Sequence, residues 1–578
     1  MIDNDGQRPS FLLADCGSTT TTVALFDLVE ENYRLIARAV SPTTIKSPWH
    51  DILIGVQDAI RQLSEISGRP LLSEQGDLIT PAQKNGSGVD FFGVAVSAGK
   101  PLKVIIAGLL EDVSVSSARR AVESIYANEV GAFTLDAHQS EQDRVAALLE
   151  KKPELIFISG GADGSDSPQL RELLESLELG TGLLNGSARP DILYAGNSRL
   201  REHVSSTYGQ ASNLYIADNV RPSVDIEDLS DAKQVLTDIY VERKITELPG
   251  VQELISWANL GIQPTGRAFA TMIKYFGALY RSQVLGVDLG ANSVAIAVAD
   301  QEYAQLLVRS NLGMGEPLPE LLNLVSSGDI LQWVPGEYSE STFSDFVFNK
   351  ALHPHSVPFT DDEVYLEQAL ARALLRQLLN QAVHSSGWND LSTVLPSARL
   401  IVLRGNTLAA SPRPGQAVLT VLDALQPTGV FSMAVDRYGV LPMMGILASQ
   451  QPSAVVQILE GGVLFELGWV IAPSGTGAPG QRALRITVET EDKGEYRIDA
   501  EFGELILVPL EPGVSAELNL KPERKVDVGR GPGKGWRITV QGGAVGLVVD
   551  VRGRPLMLPD DEEERRNRIR QWHWDMGG

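Results

Sequence analysis

The chain has 578 residues, 43% hydrophobic and 21% charged, with 49 basic against 73 acidic side chains and a net charge of −24. That length exceeds one ordinary core and predicts two or three domains. The acidity disfavours general nucleic-acid binding, which needs basic surface, and serves solubility and choice of partner instead. No run approaches the ~18 uncharged apolar residues of a membrane span. The acidic start Met1-Ile2-Asp3-Asn4-Asp5 predicts no secretory signal, and a single cysteine, Cys16, excludes an internal disulfide framework and predicts a reducing, cytoplasmic setting.

The apolar run Phe11-Leu12-Leu13-Ala14 predicts a strand closing on Asp15-Cys16-Gly17-Ser18-Thr19, with a return strand Val23-Ala24-Leu25-Phe26-Asp27. A strand, an Asp-x-Gly turn and an antiparallel return form an anion-facing hairpin. The glycine lets backbone N–H groups approach an anion, and hydroxyls add donors. From 9 to 240, short apolar runs alternate with polar helical stretches. Residues 94–98 and 102–108 read as strands, the second leading into a helix over Val115 to Val130. Leu155 to Ser159 ends at Gly160-Gly161-Ala162-Asp163-Gly164 before a helix over Pro168 to Leu177. Asp191 to Ala195 ends at Gly196-Asn197 before another helix. Strand, glycine bend, helix is the grammar of a layered α/β domain whose ligands gather at strand C-termini.

A helical bridge is predicted over Asp231 to Tyr240 and Val251 to Leu260, and Pro264-Thr265-Gly266 opens a helix running to Tyr280. The hairpin then recurs. Val284 to Val287 closes on Asp288-Leu289-Gly290-Ala291-Asn292 and returns through Val294 to Asp300. Residues 281 to about 450 form a second α/β region. Its clearest helix starts at the capping box Thr360-Asp361-Asp362-Glu363 and carries Leu366, Leu370, Ala373, Leu374 and Leu378 as a buried stripe. The strand Leu400 to Leu403, the bend Arg404-Gly405-Asn406 and a helix over Pro414 to Leu425 follow. From about 453, strands at 464–471, 483–488, 505–508, 536–540 and 545–551 are punctuated by Gly and Pro. The tail, with the charge run Asp560 to Glu564 and Trp572-His573-Trp574, predicts a short helix docking its tryptophans on this β domain.

Two copies of one hairpin predict two related lobes facing a nucleotide. The expected fold is a duplicated actin-like (ribonuclease H-like) two-lobed α/β fold with a C-terminal all-β domain. The expected division is 1–240 for the first lobe, 241–452 for the second with its helical bridge, and 453–578 for the β domain with its charged tail. ATP with Mg²⁺ is the expected ligand. Asp15 would orient the cation or its water near the β and γ phosphates, with Asp288 as the second metal-site carboxylate, and Gly17, Ser18, Thr19 and Thr20 would supply donors. Asp288, Gly290 and Asn292 would face the phosphates from the opposite lobe, and Gly405 and Asn406 would let backbone pass over an adenine ring. The competing reading is a tight hairpin whose Asp and Ser/Thr cap their own backbone. Gly160, Gly161 and Gly164 fit a plain strand-to-helix turn equally well.

Other chemistry-bearing residues read as structural. Cys16 has no histidine near in sequence and is expected to be buried and inert. His353-Pro354-His355 completes no zinc spacing and reads as a solvated loop. Trp572 and Trp574 lack the positive field of a nucleic-acid stacking platform. Lys521, Arg524, Lys525, Arg530 and Lys534 form the one basic patch, a solvated turn or a contact for an acidic partner.

The chain resembles the MutL/GlmL family, accessory proteins of adenosylcobalamin-dependent glutamate (methylaspartate) mutase and unrelated to the mismatch-repair protein also called MutL. The resemblance rests on Leu12 to Thr19, Ile158 to Gly164, Ala195-Gly196-Asn197, Asp218 to Pro222, Pro264-Thr265-Gly266, Gly286 to Gly290 and Asn311 to Gly315. Their order and spacing cover roughly residues 10 to 450. It implies kinship with the actin, Hsp70 and sugar-kinase superfamily and a chaperone-like or reactivating role, with ATP used to expel damaged cobalamin from the mutase. It carries Asp15, Gly17, Ser18 and Thr19 onto the first phosphate motif, Asp288 and Gly290 onto the second, and Gly405 onto the adenosine glycine pair, whose second glycine is Asn406 here. Where relatives run Gly-Gly-Ala-Thr-Thr-Asp, this chain has Gly290-Ala291-Asn292-Ser293-Val294-Ala295, lacking the groups that orient phosphate or water. The expectation is an ATP-binding accessory protein with weak or absent hydrolysis and a protein partner, a cobalamin-dependent mutase by resemblance, without nucleic acid or membrane. The alternatives are a non-catalytic assembly protein of the same fold or a small-molecule kinase. No catalytic residue is assignable, and the oligomeric state stays open.

Overall fold

The computed structural model describes residues 9–135, 140–184, 189–209, 212–384, 398–491 and 494–577. The start Met1 to Asp5 lies outside them. Strand β1 (Phe11–Cys16) is buried at every position, as an unbroken apolar strand covered on both faces should be. β2 (Thr20–Val29) and β3 (Asn32–Pro42) follow it as an antiparallel meander, and β4 (Phe91–Val96) returns parallel to β1. Helix Ile52–Ser67 makes the crossover. Asp51 caps its first turn through the Leu53 N–H, and Gly68, at φ 69°, ends it in the left-handed conformation.

The chain then builds a separate sheet before the first is finished. β5 (Leu102–Gly108), β6 (Ala127–Thr134), β7 (Leu155–Ile158), β8 (Asp191–Tyr194) and β9 (Leu214–Ile216) are all parallel, in the order β6-β5-β7-β8-β9. The single helix expected over 115–130 divides here. Helix ends at Val122, and Ala127–Thr134 pairs along β5 as an edge strand. Edge strands carry charge that a core strand excludes, so Asn128 and Glu129 read as helix surface; Arg119 binds Glu129 across the turn.

β10 (Ile262–Pro264) pairs with β4 and completes the first sheet in the order β3-β2-β1-β4-β10. After helix Thr265–Tyr280 the plan repeats. β11 (Gln283–Leu289), β12 (Val294–Ala299), β13 (Ala304–Arg309), β14 (Ala398–Arg404) and β15 (Gly429–Val435) stand in the order β13-β12-β11-β14-β15, with the same antiparallel and parallel senses. Helix Asp361–His384 packs beneath this sheet. Its capping box forms as expected: Thr360 Oγ1 accepts from the Glu363 N–H and the Glu363 carboxylate accepts from the Thr360 N–H. Helices Thr265–Tyr280 and Leu441–Ala448, each following the fifth strand of its set, pack against one another.

The expected all-β region opens with a helix, Pro452–Glu460, which packs on β3; from Phe465 onward the chain is all-β up to its closing helix. β16 (Phe465–Ala472) pairs with β15, and β22 (Gly546–Asp550) and β19 (Leu505–Val508) extend that sheet to eight strands. β17 (Arg482–Thr490), β18 (Gly494–Glu501), β20 (Ser515–Pro522) and β21 (Trp536–Gln541) form a four-stranded antiparallel sheet. Ile486, Leu518 and Val540 from this sheet share a core with Ile471, Leu547 and Val549. Helix Glu562–Asp575 closes the chain, capped by Asp561, with three glutamates in its first turn. It docks one tryptophan, not two: Trp572 is buried in the core of the second lobe, whereas Trp574 is 70% exposed. Positions two apart on a helix face opposite ways. Among the described residues no helix is long and apolar enough to cross a membrane.

Candidate functional site

The two predicted turns have one structure. Gly17 N–H donates to the Thr20 carbonyl at 2.9 Å, and Gly290 N–H donates to that of Ser293 at 3.0 Å. A Cβ on either glycine would meet that same carbonyl, at 3.0 and 2.8 Å. Asp15 stands opposite Thr22 on β2, and Asp288 opposite Ala295 on β12. All ten residues assigned from sequence line one cleft of about 300 Å³. Asp15 and Gly17 to Thr20 enter from the first sheet, Asp288, Gly290 and Asn292 from the second. Gly405 and Asn406 enter from the end of β14.

Arg404, which the sequence showed only as part of a bend, sits between the two hairpins. It pairs in register with Asp288 across β11 and β14, and its guanidinium hydrogen bonds to both Asp288 Oδ2 and Asp15 Oδ2. Thr265 Oγ1 donates to the other Asp15 oxygen at 2.8 Å. Gly405, at φ 106°, allows the approach: a Cβ there would fall 2.0 Å from the Leu289 carbonyl oxygen. Asp436 directly follows β15, a strand and a carboxylate that do not appear among the sequence expectations. It accepts from the Val440 and Leu441 N–H groups at 3.0 and 2.9 Å. The signal available for both residues was a charge closing an apolar strand, the pattern that marked Asp15 and Asp288.

Burial governs the charges here. It raises the Asp15 carboxyl pKa despite Arg404 and the Thr265 hydrogen bond, and raises that of Asp436 despite Arg404 and two backbone donors. Burial opposes the Arg404 charge, but Asp288 and Asp15 outweigh it and the guanidinium is held fully protonated. The cleft-lining carboxylates Asp15, Asp288 and Asp436 are balanced by Arg38, Arg404 and Arg437. Cys16 is fully buried and its thiol is pushed up by burial, as an inert thiol should be.

Mg²⁺ asks for an octahedral shell of oxygens, typically one or two carboxylates completed by phosphate and water. Three of the four oxygens of Asp15 and Asp288 already serve Thr265 and Arg404. Only Asp288 Oδ1 has no protein partner. Among the described residues no three His, Cys, Asp or Glu side chains converge as a metal group. Asp15 and Asp288, the two residues expected at a cation, are thus held by one guanidinium, and only Asp288 Oδ1 is left open for a direct metal bond.

The remaining motifs lie elsewhere. Gly160, Gly161 and Gly164 end β7 in the inserted sheet, where Asn219 donates to the Gly161 carbonyl and to Asp163 while Asn197 donates to the Ser165 carbonyl. These bonds tie three strand ends together, away from the cleft. His355 lines the cleft mouth and is exposed, its ring 6.4 Å from that of His353. In the basic patch, Arg530 lies over the Trp536 ring at 4.6 Å, with Arg399 4.2 Å from the same ring.

Fold and cleft together define a two-lobed α/β protein whose repeated sheets present matched hairpin turns to one cavity, with an all-β region at the C-terminus. The chain belongs to the MutL protein family, which matches residues 11–462. No curated protein matches it. Among solved structures it is similar to a nucleotide-free acetone carboxylase from a study of ATP-dependent acetone carboxylation (10% identity, TM-score 0.35, 85% of this chain and 81% of that one). It is also similar to a glycerol dehydratase reactivase (12%, TM-score 0.30, 77% and 100%). A third likeness is to xylulose kinase from Bifidobacterium adolescentis (12%, TM-score 0.26, 77% and 94%).

Proposed function

We propose that this chain is a nucleotide-binding accessory protein of duplicated actin-like (ribonuclease H-like) fold. ATP occupies the cleft between the lobes, and its presence is passed to a protein partner as a change in their relative position. The observation that carries this is the pair of matched turns, Gly17–Thr20 and Gly290–Ser293, facing one cavity. Backbone donors and hydroxyls at two such turns suit a polyphosphate. The packed helices Thr265–Tyr280 and Leu441–Ala448 supply a joint on which lobes can move. The resemblance to mutase accessory proteins makes a cobalamin-dependent mutase the partner to test first.

Hydrolysis is weak or absent in this proposal. A base for water needs a free carboxylate oxygen; both oxygens of Asp15 and of Asp436 are engaged, and of the three cleft carboxylates only Asp288 keeps one, Oδ1, without a protein partner. Val294 and Ala295 offer none from the second turn. The same shortage disfavours a small-molecule kinase. Calorimetric titration of the purified chain with ATP, in the presence and the absence of Mg²⁺, tests the proposal. No heat of binding under either condition rejects it.

A further inference from the structure

We propose that Arg404 is the cation of this cleft, so that it takes its polyphosphate as a metal-free anion. This deepens the assignment of the cleft to a nucleotide and depends on it. In a metal-using site two opposed carboxylates hold a divalent ion, which in turn holds the phosphates. Here the same two carboxylates, Asp15 and Asp288, hold one guanidinium, so the lobes are already bridged by positive charge. The bridge is built in: Arg404 is fixed by strand pairing with Asp288 and by the close approach of Gly405 to Leu289.

Two observations point from this bridge to a ligand. Arg404 Nε is buried without a partner, which leaves one charge-assisted donor unused beside the turns. Arg38, also at the cleft, has a buried Nε without a partner. Arginine presents its donors in a planar fork suited to phosphate oxygens. The one unpartnered carboxylate oxygen, Asp288 Oδ1, belongs to the residue that binds Arg404, so a divalent ion there would stand beside a fixed positive charge. With three carboxylates matched by three guanidiniums, the cleft carries no net negative charge to repel an anion.

ATP is titrated into the wild-type chain in EDTA and again in millimolar Mg²⁺, and Mn²⁺ alone is titrated as a separate probe. The expected result is an ATP affinity that changes less than about threefold between the two conditions, with no Mn²⁺ binding in the absence of nucleotide. ATP binding that appears only with Mg²⁺ overturns the metal-free site while leaving the nucleotide cleft in place. Absence of ATP binding in both conditions overturns both. In Arg404→Ala the two carboxylates are left facing each other, and Mg²⁺ is expected to raise its melting temperature while leaving that of wild type unchanged. If that variant does not fold, the wild-type titrations decide alone.

Discussion

Gly445 meets Ala268 backbone to backbone: a Cβ on Gly445 would lie 1.9 Å from the Ala268 carbonyl oxygen. The two residues belong to equivalent helices of the two sheet repeats, Leu441–Ala448 and Thr265–Tyr280, so their contact joins the lobes. The gap between these helices is set by a missing side chain. Gly445→Ala must push them apart, an overpacking that costs about 1–3 kcal/mol. A fall of several degrees in the melting midpoint is expected, and an unchanged midpoint contradicts the contact.

Ser18 and Thr19 stand in the first turn and line the cleft. If they bind phosphate, Ser18→Ala combined with Thr19→Val removes two donors, each worth about 1 kcal/mol. ATP affinity is expected to fall about tenfold or more, with the melting curve unmoved. Equal affinity in the double variant removes this turn from the ligand's contacts.

His573 is buried in the docking face of the C-terminal helix, 4.9 Å from the Tyr365 ring, with neither ring nitrogen hydrogen bonded. Burial first, then Arg372 and Arg552, holds its pKa down at about 3, against 6.5 for a free imidazole. Between those values the unfolded chain carries one proton more than the folded one. Its contribution is therefore complete above about pH 6.5 and is lost as the pH falls toward 3, by at most ~1.4 kcal/mol per pH unit. Between pH 6.5 and 4.5, above the range where most carboxylates titrate, His573→Leu is expected to flatten the pH dependence of the melting midpoint. Parallel curves for variant and wild type count against it.

Trp572 and Trp574 provide a contrast within one helix. Trp572 is buried with Arg552 4.5 Å over its ring, and Trp574 is 70% exposed. Trp572→Ala is expected to cost roughly 3–5 kcal/mol. Trp574→Ala should stay within about 0.5 kcal/mol. Denaturant melts of the two variants measure the difference, and equal losses refute the docked orientation.

Much of the fold was legible because its determinants are local. The Asp-x-Gly turns declare themselves in five contiguous residues, and the helix after Thr360 carries both its cap and its leucine stripe in one segment. The strand Ala127–Thr134 was not legible, because an edge position tolerates the polar Asn128 and Glu129. The strand at 494–501 does not stand out either, because Ala500 is its one buried position among charged residues, whereas 515–522 does carry the alternation of a strand in Ala516, Leu518 and Leu520.

Two hairpin turns of one kind could be read from the residues alone, since a turn needs only its own few neighbours. What lies between them emerges only when the chain has folded. Arg404 is separated by 116 residues from Asp288 and by 389 from Asp15. Their meeting depends on strand register and on the packing of one lobe against the other. No periodicity or spacing encodes such a contact, because it exists only once both sheets have closed on the same cleft.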